Sequence, residues 1–416
     1  MTSESPAQHT VGPPVTAADC RRHDAADLRA TIEALAAIPD RGPCSPGEHT
    51  AAHWIAERLR DRSHAVDIEQ ELAYPSFAGA IAQMSALGAL AGVLALSPRT
   101  RPIAVVLGLA AAAGVAEDVS NGPRLFRRLT MQRKPTWNVV AEGGDPDAER
   151  AIVLLAHHDA APTGHIFDPT VQKVLGDALP GVIERIDTSI PLWWPVIGFP
   201  ALSSIAAARG SAALARWAIL GSSIAAITLW DIAHSPITPG ANDNLSGVAA
   251  MISVADALAE RPVPGIRVLF VSCGSEEVLQ GGIHGFAARH FPRLDRERTS
   301  MLNLETLGSP ELIMLEGEGP VVMEDYHARG FRDRVARAAD RAGVHVRRGM
   351  RSRSSTDSVI PSRAGYPTAT LASMDRHKWL THYHLMSDLP EHLDYATVAD
   401  AALLAEAVVR ELAAAP

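Results

Sequence analysis

The chain has 416 residues and carries 47 Asp and Glu against 38 Lys and Arg, which gives a formal net charge of -9 at pH 7. This length allows a large buried core in one or two domains, and the acidic balance argues against a nucleic-acid surface, which requires clustered Lys and Arg. The three cysteines, Cys20, Cys44 and Cys273, are too widely spaced for a disulfide framework or a zinc ribbon.

The first 24 residues are rich in Pro, Thr and Ser and lack the basic start and apolar run of a secretory signal. We therefore expect a flexible tail over residues 1–24. Residues 25–416 are expected to form one domain, interrupted by apolar helical inserts at about 75–133 and 172–236. Before the first insert, the spacing predicts a helix over 24–38, a helix that begins after Ser45, and a strand over 65–72.

Two pairs of uncharged runs are unusual for a soluble enzyme. Residues 77–97 and 102–116 form the first pair, and residues 190–208 and 218–230 form the second. Each pair predicts a helical hairpin. Four of the seven tryptophans lie near the ends of the second pair, as in an interfacial aromatic belt. A helix that crosses a membrane needs about 20 apolar residues. We therefore predict membrane association through the hairpins, and a soluble helical lid or dimer face over the active site is the alternative.

Two membrane hairpins would leave both globular parts of the chain on one side. Without a secretory signal, that side is predicted to be the cytoplasm. The Arg-rich segment 124–134 agrees with this placement, whereas Arg99 and Arg101 in the far loop oppose it. A soluble cytoplasmic protein is the alternative, and a homo-oligomer is compatible with either.

From residue 136 onward, short apolar runs alternate with helical patterns. Strands are predicted near residues 136–140, 151–157, 266–271, 301–304, 312–315 and 368–371, and helices over 245–258, 282–290, 326–342 and 395–413. The basic run 347–353 is expected to be a solvated loop, and a clamp for a substrate carboxylate is the alternative. This alternation predicts an α/β fold with a mixed, mostly parallel sheet sandwiched by helices, to which the apolar hairpins are added.

Side chains of metal-ligand type follow several of the apolar runs. They are His157-His158-Asp159, Asn242-Asp243-Asn244, Glu276-Glu277, Glu305 and Tyr383-His384. In an open α/β sheet, ligands bind beyond the carboxyl ends of the strands. Two histidines and three carboxylates suit two divalent ions, because zinc accepts both imidazole nitrogen and carboxylate oxygen.

Within these motifs, the positions of neighbouring residues along the chain predict different roles for them. Glu276 and Glu277 are adjacent, so one can bind metal while the other stays free as a base. Asp159 lies two residues after His157 on an extended chain and can hydrogen-bond its imidazole. His158 faces the opposite way and is expected to be structural.

The order AHHDA, GANDNLSGVAAM, SCGSEEVLQGG, LNLETLGS and YHLMSDLP closely resembles the M28 family of zinc aminopeptidases and carboxypeptidases. That family shows H-x-D, G-A-x-D-[ND]-x-S-G, E-E-x-G, N-[LF]-D and Y-H-[TS] in this order. The resemblance covers about residues 24–74 and 136 to the C-terminus, and it omits the two inserts. It implies a zinc-exopeptidase fold.

Carried over residue by residue, the resemblance implies two zinc ions per chain. His157, Asp243 and Glu305 would hold one ion, and Asp243, Glu277 and His384 would hold the other. Glu276 would be the general base and later the proton donor, with Tyr383 as a hydrogen-bond donor to the oxyanion and Asp159 supporting the imidazole. Glu305 departs from the family, which has aspartate there, and His382 is an alternative ligand to His384.

The predicted function is that of a metallopeptidase. We expect a zinc-dependent exopeptidase that hydrolyses an amide bond near a free terminus of a peptide or aminoacyl conjugate. The alternatives are a glutaminyl-cyclase-like acyl transferase with one zinc, and a non-catalytic membrane-bound protein that keeps only the ligand shell. The second insert leaves the chain between His157 and Asp243, which motivates the hypothesis of an apolar or membrane-delivered substrate.

Overall fold

The computed structural model describes residues 15–414 of the chain. Within this range the strands form one sheet, whose members are β1 (Ala65–Ala73), β2 (Lys134–Gly144), β3 (Ala151–His157), β4 (Arg267–Cys273), β5 (Thr299–Leu304), β6 (Glu311–Glu318), β7 (Glu324–Asp325), β8 (Arg347–Ser352) and β9 (Thr368–Met374). The order across the sheet is β1-β2-β4-β3-β5-β9-β6-β7, and β8 pairs with β6.

The centre of the sheet is parallel and its flanks are largely antiparallel. Strands β4, β3, β5 and β9 run parallel to one another. Strands β1 and β2 on one side, and β6 with β7 on the other, add antiparallel pairs. The predicted mixed, mostly parallel sheet is therefore confirmed.

Helices cover both faces of the sheet and also form a separate bundle. They are α1 (Ala25–Ala36), α2 (Pro46–Arg60), α3 (Ala78–Ala95), α4 (Arg101–Val119), α5 (Leu125–Thr130), α6 (Thr170–Ala178), α7 (Pro180–Arg185), α8 (Trp193–Arg209), α9 (Ala212–His234), α10 (Ser246–Glu260), α11 (Gly281–His290), α12 (Arg329–Ala342), α13 (Val359–Arg363) and α14 (Tyr395–Ala414).

The central strand β3 is buried on both faces, as expected of a parallel strand between helical layers. Its side chains alternate between two cores. Leu154 packs in the core that includes residues of α1, α2, α10, α12 and α14, whereas Leu155 packs with Ile283 and Phe286 of α11. This double burial explains why the strand reads as an uninterrupted apolar run that ends at His157.

The two predicted hairpins are present as α3–α4 and α8–α9, and these four helices pack together as an apolar bundle. Glycines permit the close crossings: a Cβ placed on Gly88 would lie 2.7 Å from Pro200 Cγ, and one on Gly92 would lie 2.7 Å from Ile219 Cγ1. Helices α3, α4 and α9 are long and apolar enough to cross a membrane.

The predicted tail lies mostly outside the described residues, which begin at residue 15. Its last part is packed against the body of the protein. Cys20 and His23 are buried, and the His23 ring lies 2.7 Å from Ser253 Oγ and 3.1 Å from Glu406 Oε2. The ordered packing thus begins before residue 25.

The basic run 347–353 is not the solvated loop expected from its charges, because most of it forms β8 along β6. Neighbouring carboxylates neutralise the arginines within β8: Arg348, for example, pairs with Glu316 at 2.8 Å and with Asp333 at 2.7 Å. Charged side chains are common on edge strands, where they oppose pairing with other chains. The strand was missed because its partners are distant in sequence.

Candidate metal centre

The carboxyl ends of three neighbouring strands bring polar side chains together. His157 ends β3, Glu305 directly follows β5, and Glu276 and Glu277 begin a short turn three residues after β4. Because β4, β3 and β5 are parallel neighbours, these ends meet at one edge of the sheet.

Asp243 reaches the same edge from an irregular turn before α10. The Asp388 carboxylate accepts hydrogen bonds from the backbone N–H groups of Asn242 at 2.7 Å and of Asp243 at 3.1 Å. Asp388 therefore fixes the turn that presents Asp243. Asp388, in the quoted segment YHLMSDLP, is predicted only to cap a turn near Pro390, and its support of the Asp243 turn was not foreseen.

Asp243 lies between the two histidines. Its Oδ1 is 3.3 Å from His157 Nε2, and its Oδ2 is 3.3 Å from His384 Nε2. On one side, Glu305 Oε1 lies 3.2 Å from His157 Nε2. On the other, Glu277 Oε2 lies 3.2 Å from His384 Nε2. The five predicted ligands thus form two three-residue groups that share Asp243, and a third group of metal-type ligands among residues 15–414 joins His157, Glu276 and Glu277.

The spacing of these atoms fits zinc. Two ligands bound at 2.0–2.1 Å on adjacent corners of a tetrahedron are roughly 3.3–3.4 Å apart. The observed separations of 3.2–3.3 Å are close to that distance. In addition, His384 Nε2 and Glu277 Oε1 are buried without a hydrogen-bond partner among the described residues. Nitrogen and oxygen donors oriented in this way can hold divalent cations.

The family model described as "Peptidase family M28" matches residues 230–409. Over these residues the chain is similar to peptidase family M28. The match contains Asp243, Glu277, Glu305 and His384, and it begins after His157. Among curated protein sequences, no relative matches the chain.

Several solved structures have a similar fold. An aminopeptidase from Aneurinibacillus sp. strain AM-1 is 15% identical, with a TM-score of 0.55 over 93% of this chain and 93% of that one. A Zn-dependent exopeptidase from Parabacteroides distasonis is 13% identical, with a TM-score of 0.52 over 94% and 99%. A glutaminyl cyclase from Bacteroides thetaiotaomicron is 13% identical, with a TM-score of 0.54 over 94% and 99%. At these identities the similarity establishes the fold alone, which is the fold of these zinc-exopeptidase and glutaminyl-cyclase structures.

Glu276 lies in this site beside Gln280 and His157. Its Oε1 accepts a hydrogen bond of 2.7 Å from the Gln280 side chain, and its Oε2 lies 4.0 Å from His157 Nε2. Asp159 accepts hydrogen bonds from the backbone N–H groups of Glu276 at 2.9 Å and Glu277 at 3.1 Å. Gln280 was not among the predicted site residues, although it lies four residues after Glu276 in the same motif.

Asp159 also lies beside His157, as its spacing predicts. His157 Nδ1 is 3.2 Å from the Asp159 carbonyl oxygen and 3.5 Å from the carboxylate Oδ1. The contact to the carbonyl is the shorter one, and the carboxylate mainly supports the glutamate turn. Asp159 therefore connects the histidine to both glutamates.

The remaining histidines point elsewhere. His158 is buried with its Nδ1 2.9 Å from Ser272 Oγ, and His382 Nδ1 is 2.8 Å from Ser387 Oγ. Among residues 15–414, neither belongs to a group of metal-type ligands. Tyr383 stacks on the His384 ring at 3.9 Å between centroids.

The carboxylates keep protons on the imidazoles of the metal-free cluster. Burial opposes the charging of His384, but Glu277 and Asp243 outweigh it and raise the His384 pKa to about 10. Burial also opposes the charging of His157. The nearby carboxylates, Glu305 most of all, nevertheless raise the His157 pKa well above 6.5. Because metals bind neutral imidazole, metal binding here must release protons.

A cavity of about 520 Å³ lies between the cluster and the base of the apolar bundle. Asp243, Glu276 and His384 are on its polar wall, while Trp193 and Phe199 of α8 are on its apolar wall. Side chains of the second hairpin therefore form part of the cavity wall beside the site.

Glu318 gives a pH-dependent prediction. This buried carboxyl accepts hydrogen bonds from the Thr356 backbone N–H at 3.0 Å and from its hydroxyl at 3.1 Å, and burial raises its pKa from 4.5 to about 8. The folded chain therefore keeps a proton that the unfolded chain releases. The contribution of Glu318 to the free energy of unfolding falls as the pH rises from 4.5 to 8 and is constant outside this window.

Glu318→Gln is expected to remove this loss. Between pH 4.5 and 8, wild type should lose roughly 3–5 kcal/mol of stability relative to the variant. Urea unfolding of both metal-free proteins at several pH values measures the difference. Stability curves that run parallel across this window would show that Glu318 does not titrate there.

Proposed function

We propose that the protein is a zinc-dependent exopeptidase that hydrolyses an amide bond near a free terminus of a peptide or aminoacyl conjugate. The observation that carries the proposal is Asp243, with one carboxylate oxygen facing each histidine. Such a shared carboxylate suits a pair of ions, and the M28 match supports a peptidase.

In this proposal His157, Asp243 and Glu305 would hold one zinc, and Asp243, Glu277 and His384 would hold the other. The bound ions would supply Lewis acidity toward the substrate carbonyl and toward water. Glu305 is a longer ligand than the aspartate of the family pattern. Its oxygen nevertheless lies as near to His157 as Glu277 does to His384.

Glu276 would transfer the proton. Its Oε1 is engaged by Gln280, so Oε2 remains to accept a proton from water and to pass it to the departing nitrogen. Burial raises the Glu276 pKa well above 4.5, which makes the carboxylate a stronger base. Tyr383 would donate to the oxyanion, because burial and the Asp243 and Glu277 carboxylates raise its pKa well above 10 and keep its hydroxyl protonated.

Glutaminyl cyclisation is the second candidate, because glutaminyl cyclases share this fold at similar TM-scores. Hydrolysis places one solvent oxygen in the released carboxylate, whereas cyclisation of an N-terminal glutamine expels ammonia without using water. The zinc-loaded protein should be incubated in ¹⁸O water with leucine p-nitroanilide and with a glutaminyl peptide, and the products weighed by mass spectrometry.

We expect ¹⁸O-labelled leucine and no pyroglutamyl peptide. A chelator should abolish the reaction, and added zinc should restore it. An unlabelled pyroglutamyl product would assign the site to cyclisation, and the absence of any zinc-dependent reaction would favour a non-catalytic protein.

We also propose that the apolar bundle associates with a membrane. Helices α3, α4 and α9 have 18, 19 and 23 residues, so they are about 27–35 Å long and comparable with a hydrocarbon core of about 30 Å. Large aliphatic side chains such as Ile103, Val106 and Ile227 point outward from them. Apolar surface of this extent favours contact with lipid.

A further inference from the structure

The cavity at the cluster extends as an apolar groove along the bundle, between α8 and α9. One face of α9, from Trp217 to Ile232, lines it together with Val196 and Phe199 of α8. These 15 helical steps extend about 22 Å. One leaflet of a bilayer core is about 15 Å thick, so the groove is long enough for an aliphatic chain that lies along the bundle.

The groove is open at the side of the bundle. Trp217, Leu220 and Ile224 all line it, yet they are 63%, 51% and 56% exposed. They lie on α9, one of the helices apolar enough to cross a membrane. A molecule dissolved in lipid could therefore enter sideways, without crossing water, and reach Asp243 and Glu276 at the inner end.

Arg353, which follows β8, lines another part of the same cavity. Its guanidinium lies 5.1 Å from the centre of the ring of Trp194, the neighbour of the cavity-lining Trp193. Arg351 and Arg348 of the strand pair with carboxylates, but within residues 15–414 Arg353 has no such ion pair. Arg353 is thus a cation available to a carboxylate, and guanidinium suits that group geometrically.

We propose that the substrate is a long-chain N-acyl amino acid, with its aliphatic chain in the groove, its amide at the cluster and its carboxylate facing Arg353. This inference rests on the proposed function and specifies its substrate. Hydrolysis breaks the C–N bond of the amide: the hydroxyl of water joins the acyl carbon, and its proton goes to nitrogen. The products are a fatty acid and a free amino acid.

The role of the groove is tested by varying the length of the substrate's acyl chain. The detergent-solubilised, zinc-loaded protein is given N-dodecanoyl-leucine and N-acetyl-leucine, with leucine p-nitroanilide as the short exopeptidase substrate. We expect kcat/KM for the dodecanoyl compound to exceed that for the acetyl compound by at least 100-fold, because each buried methylene contributes about 0.8 kcal/mol.

Two variants of α9 form a matched pair. Thr228 lines the groove, whereas the neighbouring Ile227 is outside it and faces outward. Thr228→Phe should lower kcat/KM for N-dodecanoyl-leucine at least 10-fold and leave N-acetyl-leucine unchanged, while Ile227→Phe should change neither. Quenching of tryptophan fluorescence by an N-(dibromododecanoyl)-leucine gives a binding readout for the metal-free protein, and this signal should weaken only in Thr228→Phe.

The role of Arg353 is tested by removing either its own charge or the charge of the substrate carboxylate. Arg353→Gln should raise KM for N-dodecanoyl-leucine at least 10-fold but leave the corresponding methyl ester unaffected. Equal losses for acid and ester would overturn the role of Arg353.

The outcomes separate this inference from the proposed function. If leucine p-nitroanilide is cleaved but N-dodecanoyl-leucine is not, or if dodecanoyl and acetyl compounds react equally, the substrate assignment is wrong while the exopeptidase stands. If no amide is cleaved, the proposed function fails and this substrate assignment fails with it. Equal fluorescence quenching in both α9 variants would show that the chain binds elsewhere.

Discussion

Glu276→Gln is expected to lower kcat for leucine p-nitroanilide by about 10²–10⁴-fold, the usual contribution of a general base. The amide has nearly the same shape as the carboxylate and can still accept the hydrogen bond from Gln280. Asp159 would still hold the backbone of the turn. We therefore expect the variant to bind as much zinc as wild type, so that the loss reflects proton transfer alone.

Glu277→Gln is the matched comparison. The two residues are adjacent and equally buried, but only Glu277 lies 3.2 Å from His384 Nε2. This second variant should lose zinc as well as activity. Steady-state kinetics and elemental analysis of both dialysed proteins provide the test. A Glu276→Gln protein with more than a tenth of wild-type kcat would remove Glu276 from its proposed role.

Asp243→Asn is expected to have an effect at least as large, because one carboxylate serves both groups of ligands. Changes to residues that only support metal ligands commonly cost 10–100-fold, so loss of a shared ligand should cost more than about 100-fold in kcat/KM. Zinc content should fall together with activity. Asparagine keeps the size of the side chain, so Asp388 can still hold the turn through its backbone N–H groups.

His382→Ala is the control for this prediction. His382 is two residues from His384, but its ring contacts Ser387 rather than the cluster. Its zinc content and activity should stay within a few-fold of wild type. If Asp243→Asn retained two zinc ions, or if His382→Ala lost them, the assignment of ligands would be wrong.

The sheet could be predicted because the burial of each central strand leaves a pattern in its own short stretch of sequence. β3 is buried on both faces, so its run of apolar residues is visible in the sequence and stops where His157 meets the polar edge. The order of such strand ends also pointed to the M28 family. The hairpins were equally visible, because uncharged runs of that length are rare in soluble proteins.

The rest depended on contacts between distant segments. No local pattern indicates that Asp388 holds the Asp243 turn, or that β8 pairs along β6 in spite of its arginines. The groove between α8 and α9 is likewise a product of packing, since both of its walls read simply as apolar helix. These features decide how the site is supported and reached, and they appear only in three dimensions.

The central claim is best tested by anomalous scattering from crystals of the zinc-loaded wild-type protein, measured on both sides of the zinc absorption edge. The account predicts two zinc peaks on opposite sides of the Asp243 carboxylate, one beside His157 and Glu305 and one beside His384 and Glu277. A single peak, or zinc bound away from these side chains, would contradict it.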